Sequence, residues 1–211
     1  MAKNKILFAG TKVKLVRSEV DRETYERHGG VIHNIPVIYA LDNLPGGYKI
    51  DTIDHLIDAE DKLLSALEKK AYDALVTTLP FNKEILARKE FDGDRELNSP
   101  LEIWAALACK DVCDIIKTIE FNEIDELYGE SLQVVRRIRE KHPNLPLICF
   151  SGVTTNKELS LLKKTGYFRE FALTTGDYSR DSYALNYALR KVFGMDPDID
   201  DEDEEEGSED D

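Results

Sequence analysis

Cysteine is scarce. Cys109, Cys113 and Cys149 are the only three in 211 residues. An odd count in a chain of this length excludes a disulfide framework. Cys109 and Cys113 stand four apart, on one face of a predicted helix, but no His or second cysteine pair lies nearby. A zinc site therefore lacks its ligands, and buried thiols acting as small hydrophobes are expected. Long apolar runs are also missing. None approaches the ~20 residues that span a bilayer, so no membrane contact is expected. The opening residues Met1 to Lys5 run into a strand-like stretch without a signal-type apolar region, so a cytoplasmic protein is expected. No G-x-x-x-x-G-K-[ST] loop occurs, and no G-x-G-x-x-G follows Gly10. Both common nucleotide-phosphate signatures are thus absent. There is no G-x-S-x-G nucleophile elbow either, and Ser151-Gly152 has no nameable triad partner.

Basic charge is outnumbered. Lys and Arg total 28 against 42 Asp and Glu, a net charge of −14. The excess is local: twelve of the acids lie between Asp196 and Asp211, with no base among them. Setting them aside leaves 30 acids against 28 bases, a nearly balanced body. The balance argues against nucleic acid as the main ligand, because phosphate contacts need clustered Lys and Arg. The acidic stretch has too few apolar groups to fold, and reads as a disordered acidic tail over 195–211, available to a basic partner. The hydrophobic fraction of 42% suits a globular body that buries its own core.

Along that body, strand and helix signals alternate. Lys5 to Gly10 (KILFAG) reads as a buried first strand. A weak helix over 17–28 is followed by a β-rich stretch, Val31 to Leu41, bent at Pro36. Asn43 to Gly47 (NLPGG) is a turn, and Tyr48 to Ile53 a short strand. Asp58 to Lys70 is a helix, with Asp58 as N-cap and Ala59, Leu63, Leu64 and Leu67 on one face. Ala74 to Thr78 is a central strand closed by Leu79-Pro80. Ser99-Pro100 with Glu102 opens a helix to Glu120, whose apolar face includes Trp104, Leu107 and Val112. Helices follow over Glu130–His142, Lys157–Lys164 and Ser182–Phe193, with strands at Leu147–Phe150 and Glu170–Leu173. This alternation predicts an α/β fold with a parallel sheet covered on both faces.

The series resembles the receiver domains of two-component response regulators. Tyr72 to Pro80 looks like the strand that carries the phosphoacceptor Asp, followed by its Pro. Gly129 to Glu140 looks like the next helix, and Pro146 to Gly152 (PLICFSG) like the fourth strand with its switch hydroxyl. Thr165-Gly166, the strand to Thr174 and the helix to Gly194 resemble the receiver's last units. The resemblance implies a flavodoxin-like (CheY-like) doubly wound sheet over 1–194, with a helical insertion at about 81–128. That insertion puts 48 residues between Pro80 and Gly129, where receivers have a few.

The chemistry of a receiver is not matched. The metal-binding acids are replaced by Gly10 and Thr11, the phosphoacceptor by Thr78 and the Lys by Thr174, with Thr175 in place of Pro. Ser151 fits the switch hydroxyl and Phe171 the switch aromatic. Mg²⁺ needs carboxylates, and it supplies most of the charge stabilisation in phosphoryl transfer. A threonine hydroxyl without a base is no substitute nucleophile, and His28, His33, His55 and His142 all lie outside the matching loops. The expectation is a non-catalytic, pseudo-receiver signalling protein, without cofactor or metal, that acts through an unidentified protein partner. Trp104, Leu107 and Val112 then form either extra core or an interaction surface. A second reading is a small-ligand, nucleotide or phosphate binder, or an enzyme, using hydroxyls at the C-terminal strand ends. That crevice would hold Thr77, Thr154, Thr155 and Thr175 beside the replaced positions. In a third, plainer reading the hydroxyls satisfy one another and the loop backbone.

Overall fold

The computed structural model describes residues 3–10, 40–41, 43–54, 56–57, 59–80, 121–152, 155–175 and 177–196. Five strands form one sheet: β1 (Asn4–Gly10), β2 (Tyr48–Asp54), β3 (Ala74–Thr77), β4 (Leu147–Ser151) and β5 (Glu170–Leu173). Their spatial order is β2-β1-β3-β4-β5, and every pairing is parallel. That order defines the flavodoxin-like, doubly wound α/β fold. Among the described residues the helices are α1 (Glu60–Lys69), α2 (Asp125–Lys141), α3 (Asn156–Lys164) and α4 (Tyr178–Val192).

The central strands are apolar on both faces because both faces are covered. Leu7, Ala9, Leu75, Leu147 and Cys149 point to one side, where Leu63 and Leu67 of α1, Leu132, Val135 and Ile138 of α2 and Leu162 of α3 bury them. Ile6, Phe8, Val76, Ile148, Phe150 and Ala172 point to the other, against Ala40, Leu41, Leu44 and Leu185, Ala188 and Leu189 of α4. The side alternates residue by residue, as the two-residue period of a strand requires. Each fully buried Leu contributes about 2 kcal/mol of transfer free energy, so the sheet position of every strand is fixed by what it buries.

Several sequence-based boundaries move. Ala40 and Leu41 are helical and buried, not the end of a strand. The strand reading there followed β-branched content, which says "half-buried surface" before it says "strand". Helix α1 begins at Glu60 with Ala59 as N-cap and no side-chain cap bond, and the expected cap Asp58 lies outside the described residues. Helix α2 begins at Asp125, five residues before Glu130 and inside the expected 81–128 insertion. The Glu126 carboxylate accepts from the backbone N–H of Asn122 and Glu123, which closes that helix start. Helix α4 begins at Tyr178, not Ser182, because the Asp177 carboxylate caps Arg180 N–H at 2.9 Å. The weak helix at 17–28, the Ser99–Glu120 helix and the stretch 197–211 lie outside the described residues.

The end of α4 is a Schellman motif. Gly194 N–H donates to Lys191 C=O at 3.3 Å and Met195 N–H to Arg190 C=O at 2.8 Å, with Gly194 at φ +67°. The left-handed turn brings Met195 back onto the core, and Arg190 donates to the Asp196 carbonyl at 3.0 Å. The packed body therefore extends past Gly194 to Asp196.

Candidate functional site

In a doubly wound sheet the C-terminal strand ends form the crevice. The residues at the described strand ends are Gly10, Asp54, Thr77, Ser151 and Leu173. Asp54 is the acid among them, on edge strand β2 and level with Gly10. Thr78 follows β3, its N–H bonded to Ala9 C=O at 3.1 Å, and it is buried. Thr174 follows β5, its N–H bonded to Ser151 C=O at 3.1 Å. The structure thus sets Gly10 beside Thr78, and Ser151 beside Thr174. Thr11 and Thr154 lie outside the described residues, as do Trp104, Leu107 and Val112.

Position 10 is filled in a way no motif signals. A Cβ added to Gly10 would stand 2.5 Å from Phe8 Cζ and 2.6 Å from Phe8 Cε1. Phe8 is 2% exposed and belongs to the second core, so its ring cannot swing into solvent. A side chain at 10 has to displace a packed aromatic. At the β4–β5 end, a Cβ on Gly152 would meet Thr174 Oγ1 at 3.3 Å, so this side of the crevice is also tight.

Several donors around the crevice are committed locally. A hydroxyl has one proton to give. Thr77 gives its proton to Thr78 C=O at 3.0 Å. Thr175 gives its own to the Asp181 carboxylate at 3.0 Å, and its N–H goes to the same oxygen at 2.6 Å. Thr155 is the N-cap of α3 and accepts from Glu158 N–H at 3.1 Å. The Thr77 and Thr175 hydroxyl protons and the N–H groups of Thr78, Thr174 and Thr175 are thus already committed, whereas Thr155 accepts and keeps its own proton.

Two carboxylates sit beside this end of the sheet, both fully buried. Asp181 is in the first turn of α4, held by Thr175. Glu158 is in the first turn of α3 and accepts from the Tyr128 hydroxyl, itself fully buried. Buried charge must be paired, and a helix N-terminus favours an anion. These helix starts therefore already carry their own acids, which disfavours an external anion there. Sequence reading missed both. Thr155 to Glu158 is legible as a capping pair, but nothing in that spacing says that the Glu side chain turns inward to Tyr128.

Burial, and then the Glu158 carboxylate, push the Cys149 thiol far up. It stays protonated and is no nucleophile. Phe171 is half-buried, packed on the first core and edge-on to Phe168 at 5.6 Å between centroids. Among the described residues, no three of His, Cys, Asp or Glu cluster as metal ligands. Among them, too, no helix is long and apolar enough to cross a membrane.

The segment that rejoins the body after the insertion is tied to this site. Lys157 of α3 donates to Phe121 C=O and lies 4.7 Å from the Phe121 ring centroid. Tyr128 reaches Glu158, and Ser131 of α2 donates to Pro80 C=O at 2.7 Å. The insertion thus leaves and returns beside the crevice.

No family model and no curated protein matches this chain. Among solved structures it is similar to a signal receiver domain of an HD domain-containing protein from Pseudomonas fluorescens Pf-5. The identity is 11% and the TM-score 0.40, over 92% of this chain and 100% of that one.

Proposed function

We propose that this chain is a non-catalytic, receiver-like signalling or regulatory protein that works by protein–protein contact, independently of aspartyl phosphorylation. The observation that carries the reading is the crevice itself. Where aspartyl chemistry needs carboxylates and a lysine, the chain has Gly10, Thr78 and Thr174, and the buried Phe8 ring takes the space at position 10. The spent donors of Thr77 and Thr175 support the same reading against a phosphate binder. The partner surface is assigned to the 81–120 stretch with Trp104, Leu107 and Val112, because its re-entry point is pinned at the crevice by Lys157 and Glu158.

Affinity capture with the intact chain, beside a thermal-shift panel of nucleotides and phosphates, tests this. A specific protein partner whose binding is lost on Trp104→Ala, with the fold kept, is expected. A nucleotide or phosphate that raises the melting temperature by mass action, without any partner, would overturn it.

A further inference from the structure

Helix α2 has two parts, divided by the kink at Tyr128 (φ −130°, ψ 19°). Different neighbours hold them. Past the kink, Ser131 donates to Pro80 C=O at 2.7 Å, which ties the long part of the helix to the stretch after β3. Before the kink, residues 121–128 are held by α3. Lys157 donates to Phe121 C=O and stands 4.7 Å from the Phe121 ring centroid. Glu158, the next residue, accepts from the Tyr128 hydroxyl. Both ends of the return segment thus rest on adjacent residues in the first turn of α3.

These ties are hard to break from one side. Glu158 and Tyr128 are both fully buried. If 121–128 lifts while α3 stays, the Glu158 carboxylate stays buried and loses the donor that Tyr128 supplies. Lys157 loses a carbonyl and an aromatic face in the same step. If both segments move together, water takes the place of the lost partners, so joint movement is the cheaper opening. The kink lets the first turn of α2 move without the long part, which Ser131 keeps in place.

The same turn of α3 is fixed to the crevice. Thr155, the N-cap that follows β4, accepts from Glu158 N–H through its hydroxyl and from Leu159 N–H through its carbonyl, both at 3.1 Å. We propose that residues 121–128 and the first turn of α3 form one latch, which opens and closes as a unit and couples the insertion to the β4 side of the crevice. For the partner, this rests on the reading above: a protein that holds the 81–120 stretch favours one state of the latch, and the change is felt at Thr155. The latch itself needs no partner.

Hydrogen exchange of the intact chain alone, resolved to single amides by NMR, therefore tests it, and its failure leaves the protein–protein reading standing. The reporters are Leu127 and Tyr128 N–H, both bonded to Ile124 C=O at 3.0 Å, with Glu158 and Leu159 N–H on the other side. All four are expected to share one opening free energy, below that of Val135 and Ile138 in the long part of α2. Tyr128→Phe should quicken all four together, by about tenfold, as loss of a hydrogen bond to a charged group implies. Lys157→Met, a milder change, should shift the same four in the same direction. Three results would overturn the latch. The four amides are as protected as Val135 and Ile138, so that nothing opens separately. The two pairs open with different free energies. Or Tyr128→Phe quickens Leu127 and residue 128 but leaves Glu158 and Leu159 unchanged.

Discussion

Gly10 and Phe8 show why single positions decide what this crevice can do. The Phe8 ring occupies the approach that a carboxylate at 10 would use, so Gly10→Asp should cost about 1–3 kcal/mol by overpacking. Denaturant melts measure it; an unchanged midpoint would show that the ring yields freely. Cys149 gives a second test. Its thiol is fully buried and held protonated, so native alkylation at pH 8 should spare it and denatured alkylation should not, as site-resolved mass spectrometry reads directly. The linkage sign is fixed by direction. The folded-state value lies above the ordinary 9.0, so the stabilisation is complete below pH 9 and is lost as pH rises beyond it. Tyr72, raised by burial and then by its bond to Asp51, acts the same way above its ordinary 10.0. Unfolding midpoints should therefore fall on the alkaline side. Asp51 is lowered, first by its bond from Lys70 and then by Tyr72, so its share is present above 3.8 and lost as pH falls through the folded value. That share is small because the pair is exposed.

Helix α2 shows how far sequence reaches at the scale of elements. Its core face, Leu127, Ser131, Val134, Val135 and Ile138, is periodic and was legible from Glu130 onward. The first turn was not, because it lies before Gly129, and the backbone kinks beside that glycine, at Tyr128 with φ −130°. The kink places Tyr128 against Glu158. Tyr128→Phe should cost about 1–3 kcal/mol, since it removes a donor from a buried carboxylate. Thermal or denaturant unfolding checks this, and a cost near zero would mean that Glu158 is fully satisfied without it. Strands were legible because buried parallel strands are continuous apolar runs, as in Leu7 to Ala9 and Leu147 to Phe150. Candidate site positions were legible as strand ends. Their hydrogen-bond partners were not, because Thr175 with Asp181 and Tyr128 with Glu158 are brought together only by packing between elements.

For the whole molecule, the order β2-β1-β3-β4-β5 places the hydroxyl-lined crevice and the groove lined by Tyr72, His142 and Pro146 at opposite ends of one sheet. Stopping the chain after Asp196 keeps Met195 on the core and the Arg190 contact, so the melting temperature should stay within about 2 °C. A drop of many degrees would mean that the acidic segment is part of the folded body. The proposed reading is a doubly wound fold without the aspartyl chemistry of a receiver. Incubation of the intact chain with a small phosphodonor and Mg²⁺, followed by intact-mass measurement, tests it most directly. The account predicts no added phosphoryl group, and none after Thr78→Asp alone. A stoichiometric phosphoryl adduct on the unmodified chain, stable in acid and labile in base, would contradict it.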